Sequence, residues 1–144
     1  MNTIGNSINS STESGFTLNE MIKVVAIIAV LAFIAVFSFH YFMIKSYNII
    51  AKHDLQYFIQ AQKNYYAAHT VYLGSAGDFI EGNLTDTFYP GKFSFSPTDG
   101  IKIEIVAGNG STPKSPLIIE SSHRRGKIIY TYDFSSGEIT ERKK

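Results

Sequence analysis

The strongest constraint in this chain is an apolar run, residues 24–44, bounded by Lys23 and Lys45 and broken only by Ser38 and His40. A helix needs roughly 20 consecutive apolar residues to span bilayer hydrocarbon, and this stretch meets that length without a glycine or proline. In hydrocarbon every backbone N–H and C=O must find its partner inside the segment, so a run of this kind in a membrane is helical. Burying it in a soluble core would require a much larger domain than 144 residues supply. One bilayer crossing is therefore expected.

Immediately before the run the chain reads GFTLNE, with Gly15 in front of Phe16 and Glu20 four positions further on. A secretory signal peptide has an apolar core of about 7–15 residues and a small-residue cleavage site on its far side. Here the candidate cut precedes the run, so the hydrophobic helix stays on the mature chain. The sequence Gly15-Phe16-Thr17-Leu18-Asn19-Glu20 abutting a long apolar helix resembles the amino-terminal signature of the type IV pilin and pseudopilin family, a class III signal sequence with a prepilin-type methylation motif. That resemblance implies that residues 1–15 are a leader, and that a prepilin peptidase cuts between Gly15 and Phe16 and methylates the new amine of Phe16. It also implies a homo-oligomeric helical filament, built from the inner membrane by pilus or secretion assembly machinery. In such filaments the acid at the Glu20 position attracts the first amine, here that of Phe16, of a neighbouring subunit. Two other arrangements stay open for these charges. Glu20 and Lys23, three apart on one helix, can pair within a chain, or Lys23 snorkels toward the headgroups. Phe16, Glu20 and Lys23 are accordingly the expected assembly residues.

Several positions depart from the family pattern. The leader carries no Lys or Arg, whereas pilin leaders are usually basic, so orientation rests on the amine of Met1 and on Lys23. Ala29 and Phe37 stand where type IVa pilins usually carry a glycine and a proline, and Asn19 stands where an aliphatic residue is common. The chain has no Cys and no Trp. It therefore lacks both the carboxy-terminal disulfide of many pilins and the D-P-W-G-like segment of the major type II secretion pseudopilin. The leading reading is a structural subunit of a type IV pilus-like filament, with a minor pilin or a type II secretion pseudopilin as the alternative. A membrane-anchored extracytoplasmic binding domain is the contrasting class.

The pattern after the apolar run predicts an α+β fold. Residues 16–73 contain neither Gly nor Pro, which permits one long helix: a membrane or filament-core part at 16–44 and an amphipathic part at 45–73 with Gly74 as its cap. On the amphipathic part Ala51, Leu55, Phe58, Gln62, Tyr65, Tyr66 and His69 fall near one face, while Lys52, Gln56, Gln60, Lys63 and Asn64 fall elsewhere. Residues 74–144 read as an irregular loop at 74–91 followed by a sheet. Alternating or apolar runs at 92–96, 101–106, 117–121, 127–134 and 138–142, separated by turn signals, predict a meander of about four antiparallel strands with a charged edge at 138–142.

Catalytic signals are absent from the pattern. His40, His53, His69 and His123 lack metal-ligand spacing and read as surface or packing residues. Asp78, Glu81 and Asp86 sit in a Gly-rich stretch that calcium favours, but their spacing matches no calcium loop, so solvated carboxylates are preferred. No serine lies in a nucleophile context; neither an enzyme nor a cofactor is expected. The net charge of +1 gives no strongly basic nucleic-acid surface. Two short basic clusters remain, His123, Arg124, Arg125 and Lys127, and then Arg142, Lys143 and Lys144. On adjacent strands they would form a cationic patch for DNA, anionic polysaccharide or membrane; a solvated turn and a frayed tail are the preferred reading. The aromatics along the helix, among them Phe39, Tyr41, Phe42, Tyr47, Tyr57, Phe58, Tyr65 and Tyr66, read as packing and membrane-interface groups.

Overall fold

A computed structural model describes residues 15–82, 95–111 and 116–144. The chain forms two compact units, Met1–Ser38 and Phe39–Lys144. The first element, α1 (Leu18–His69, 52 residues), belongs in part to each. Five strands follow: β1 (Phe79–Glu81), β2 (Ile101–Ala107), β3 (Ile118–His123), β4 (Ile128–Asp133) and β5 (Glu138–Lys143). They make one sheet in the order β1-β2-β3-β4-β5 with every pair antiparallel. The fold is thus α+β with a meander, as the alternation predicts.

In the first unit nothing among the described residues covers the helix. Its most apolar window has a mean hydropathy of 2.8 and is 0% buried. Exposed large hydrophobics recur at nearly every position, from Met21, Ile22, Val24 and Val25 through Phe33, Ile34 and Val36 to Phe37. An all-round apolar surface of this kind is stable only when lipid or other protein covers it. Among the described residues there is therefore one helix long and apolar enough to cross a membrane.

In the second unit the helix is amphipathic. Ala51, Asp54, Leu55, Phe58, Ile59 and Gln62 are its buried residues, at the three- and four-residue spacing that places side chains on one face. Period-two alternation presents Ile101, Ile103 and Ile105 of β2, Ile119 of β3 and Tyr130 and Tyr132 of β4 to the same core, which Leu117 joins from just before β3. Each fully buried Leu, Ile or Phe contributes roughly 1.5–3 kcal/mol by leaving water. Val106 falls on the outward face with Lys102 and Glu104 and is exposed, next to the point where the β2–β3 register shifts between Ile105 and Ala107.

Three expectations need correction. The helix ends at His69 rather than running on to Leu73, and its cap is Thr70 rather than Gly74. Thr70 holds a φ of 59°, a left-handed conformation unusual for a β-branched residue. Its N–H reaches the Tyr66 carbonyl at 2.7 Å and its Oγ1 donates to the His69 carbonyl at 2.6 Å. The stretch 74–91, expected to be irregular, contributes the short edge strand β1, which pairs with β2 through Ile80 opposite Ile103. Of the strand expected at 92–96, residues 92–94 lie outside the described residues, and Phe95 and Ser96 belong to no strand. Phe95 instead meets the Phe58 ring edge-on at 5.4 Å. Gly108, with φ of 94°, closes the β2–β3 connection where a Cβ would overlap the Pro116 carbonyl, so only glycine fits.

The chain after the cap is strapped to the helix by Gln62. Its amide donates to the Leu73 carbonyl at 2.7 Å and accepts from the Leu73 N–H at 2.9 Å, with both residues buried. Removing the amide leaves two buried backbone groups without partners, which costs about 1–3 kcal/mol. Gln62→Ala is therefore expected to lower the stability of this unit by that amount, while Gln60→Ala, at an exposed site on the same helix, stays within about 0.5 kcal/mol. Urea unfolding of the full chain in detergent, followed by near-ultraviolet circular dichroism of its tyrosines, measures both; equal effects would refute the strap.

Candidate functional site

The amino-terminal residues singled out by the sequence form a helix start. Thr17 is the N-cap of α1, and its carbonyl accepts from the N–H groups of Glu20 at 3.0 Å and Met21 at 3.1 Å. Glu20 turns back: its Oε2 accepts from both the Thr17 N–H and the Thr17 hydroxyl at 2.8 Å, and its own N–H lies 3.4 Å from the Thr17 Oγ1. This is a reciprocal capping box, in which the cap hydroxyl and the acid three residues on satisfy donors that the first helical turn leaves over. The signal T-x-x-E was present in the sequence, but Thr17 was not among the expected functional residues. Glu20 and Lys23 do not form an ion pair; the carboxylate is held by Thr17 instead. Gly15 and Phe16 precede the cap and are exposed, Phe16 at 78%. A Cβ added at Gly15 would meet nothing within 4 Å among the described residues.

The second unit unites the two basic clusters. Strands β4 and β5 pair with Ile128 opposite Lys143 and Ile129 opposite Arg142, and the Lys144 N–H donates to the Lys127 carbonyl at 2.9 Å. Lys144 Nζ further donates to the His123 carbonyl at 2.7 Å. The carboxy-terminal cluster is thus the end of a strand, not a frayed tail, and it lies beside the turn that carries Arg124, Arg125 and Lys127. Asn48 of α1 fixes that turn by accepting from the N–H groups of Lys127 at 2.8 Å and Ile128 at 3.2 Å. Two arginines are neutralised, Arg124 by Asp99 at 3.5 Å and Arg142 by Glu120 at 2.8 Å. Arg125 has a phenol rather than a carboxylate as its partner, Tyr47 Oη at 3.4 Å.

His123 is the buried member of the cluster, 5% exposed. Its ring stacks on Tyr47 with centroids 4.2 Å apart and planes 10° from parallel. Nδ1 accepts the Arg125 N–H at 2.9 Å, which requires an unprotonated Nδ1 and so a neutral ring with its proton on Nε2. Burial first, and then the Arg124 charge, hold its pKa below the ordinary 6.5.

The remaining candidates do not converge. His53 meets Tyr57 edge-on at 4.4 Å, and His69 stacks on Tyr65 at 4.1 Å. Asp78 accepts from the Ser75 N–H at 2.8 Å, Glu81 ends β1, and Asp86 lies outside the described residues. Among the described residues no group of three or more His, Asp or Glu is placed to hold a metal ion. The aromatic residues Tyr66, Tyr72, Phe134 and Tyr132 pack in series, with centroids 4.6, 4.5 and 4.9 Å apart.

The depressed pKa of His123 sets a pH dependence. The unfolded chain takes up a proton as pH falls through about 6.5, whereas the folded ring resists protonation until lower pH, so folded-state stability declines through that window. The melting temperature of the full chain in detergent is expected to fall from about pH 7.5 to about pH 5.5. His123→Asn, which keeps an acceptor for the Arg125 N–H but does not titrate, flattens that slope. An unchanged slope in the variant would assign it to other groups.

Comparison of the chain with protein-family models, with curated proteins and with solved structures finds no match.

Proposed function

We propose that this chain is a structural subunit of a type IV pilus-like filament, held in a membrane by residues 24–44 before assembly and freed from its leader between Gly15 and Phe16. The observation that carries the reading is that, among the described residues, nothing packs against Gly15. Among the described residues no close neighbour demands glycine there, and the adjoining Phe16 is a large apolar side chain standing in the open. A small residue next to an exposed bulky one, directly ahead of a helix cap, suits recognition by another protein better than it suits this fold. The uncovered apolar surface of α1 supports the same reading, because lipid covers it before assembly and other copies of the chain would cover it afterwards.

The capping box favours one competing reading. Thr17 and Glu20 account for the acid by local chemistry alone, as a plain membrane anchor carrying a binding domain would also require. The two readings separate at the amino terminus. In the filament reading the assembled chain begins at methylated Phe16, and Gly15→Arg leaves the leader attached without altering the fold. Amino-terminal mass spectrometry on sheared surface filaments decides this, and an intact residue 1 on assembled subunits would favour the anchor.

The role of Glu20 is separable from its cap. Gln is accepted at the same capping-box position, so Glu20→Gln keeps the helix start while removing the charge. Thr17→Val removes the cap hydroxyl while keeping the charge. With subunit levels matched by immunoblot, Glu20→Gln is expected to reduce filaments per cell at least tenfold, and Thr17→Val to leave them near wild type. The opposite order would make Glu20 a capping residue only.

A further inference from the structure

A groove of about 590 Å³ runs between α1 and the turn after β3. Phe39, Met43 and Ile44 form its apolar wall, and Tyr47, Arg125 and Lys127 its polar side. We propose that this groove binds one anionic phospholipid of the leaflet in which residues 24–44 end, with the headgroup phosphate on Arg125 and Lys127 and an acyl chain along Phe39 and Met43. The proposal rests on the membrane stage of the function proposed above.

Charge complementarity identifies the occupant. Among the described residues Arg125 and Lys127 have no carboxylate partner, unlike neighbouring Arg124 and Arg142. Both are exposed. Arginine presents a planar fork that matches phosphate oxygens, and lysine adds a point charge beside it. Tyr47 is braced from both sides, stacked on His123 and hydrogen-bonded to Arg125, so the guanidinium is held by its phenol rather than free to sweep solvent. Asn48 fixes the backbone of Lys127 and Ile128, which makes the cationic rim a built feature of the fold. The apolar wall belongs to residues 39–44, the last residues of the apolar run, and Lys45 follows directly. A soluble anion would use the cations and leave Phe39, Met43 and Ile44 facing water. A phospholipid uses both halves, and aromatic residues such as Tyr47 with basic neighbours suit the headgroup level of a bilayer.

The test uses the full chain. In nanodiscs of phosphatidylcholine with one fifth phosphatidylglycerol, resistance to carbonate extraction first reports insertion. Native mass spectrometry of the chain released into detergent then measures retained lipid. Phosphatidylglycerol is expected to be retained at least tenfold more strongly than phosphatidylcholine, and Arg125→Gln with Lys127→Gln to abolish the preference, since each cation near an anionic surface contributes several-fold. Lys63→Gln, at a cation elsewhere on the helix, leaves it intact. Soluble glycerol phosphate is expected not to compete; effective competition would make this a site for free anions and overturn the proposal. A benzophenone side chain at position 43 is expected to cross-link to lipid; cross-linking to a second copy instead would assign the groove to the filament. Insertion with equal retention of both lipids refutes the lipid site alone, whereas failure to insert refutes it together with the membrane stage on which it depends.

Discussion

Four hydrogen-bonding positions along one face of α1 tie the helix to the chain that folds onto it. Asn48 receives the N–H groups of Lys127 and Ile128, and the Ala51 carbonyl receives the Ser121 hydroxyl at 2.9 Å. Asp54 receives the Thr98 N–H at 2.6 Å and its hydroxyl at 3.2 Å, and Gln62 clasps Leu73. Apolar burial by Leu55, Phe58 and Ile59 is non-directional and would tolerate sliding or rotation of the helix over the sheet. The polar ties would not. Each meets a backbone or hydroxyl group that the turns leave over, and an unmet group of that kind is expensive in a core. Among the described residues no buried side-chain nitrogen or oxygen lacks a partner, so the register is fixed without leaving a polar group stranded.

The parts of this fold legible in the sequence are those whose pattern is set by burial of one face. Ile101, Ile103 and Ile105 alternate with Lys102 and Glu104 because one face of β2 meets the helix, and Ala51, Leu55, Phe58 and Gln62 recur at helical spacing for the same reason. Elements fixed by a distant partner carry no such pattern. Asp54 reads as a surface acid, since its partner Thr98 is 44 residues away. Strand β1 has only three residues, too few to show alternation between glycines. Thr70 ends the helix in a conformation that glycine adopts far more readily, so Gly74 was the stronger local signal. At the candidate site Gly15, Phe16 and Glu20 were visible as a motif, whereas the capping role of Thr17 required weighing T-x-x-E as a helix start and not only as part of a longer signature.

A net charge of +1 conceals how the charges are distributed. Arg124, Arg125, Lys127, Lys143 and Lys144 gather where the β3–β4 turn meets the end of β5, and among the described residues only Arg124 of these has an acid opposite. Concentrating cations would ordinarily destabilise a fold by mutual repulsion. Here the backbone absorbs part of that cost. The Lys144 ammonium is drawn to the His123 carbonyl, and the neutral His123 ring, pinned by Tyr47 and the Arg125 N–H, adds no further charge to the group. A charged β5 edge also discourages pairing with another strand.

Capping does not by itself exclude the assembly role proposed for Glu20. An ionised carboxylate offers about four lone-pair sites on two oxygens, and both Thr17 donors converge on Oε2 alone. Among the described residues Oε1 takes no hydrogen bond, so under the proposed function an amine from another copy would meet an acceptor that is already oriented. Holding the carboxylate by one oxygen fixes its rotamer before the partner arrives, which reduces the side-chain entropy that an ion pair otherwise loses on forming. Among the described residues Lys23 has no ion-pair partner, and it has the length to carry its ammonium to the headgroups. A neutral capping hydroxyl at position 17 and a charged group at position 20 thus serve the helix start with one oxygen while the other stays open, an arrangement that a membrane anchor tolerates and a polymerising helix can use.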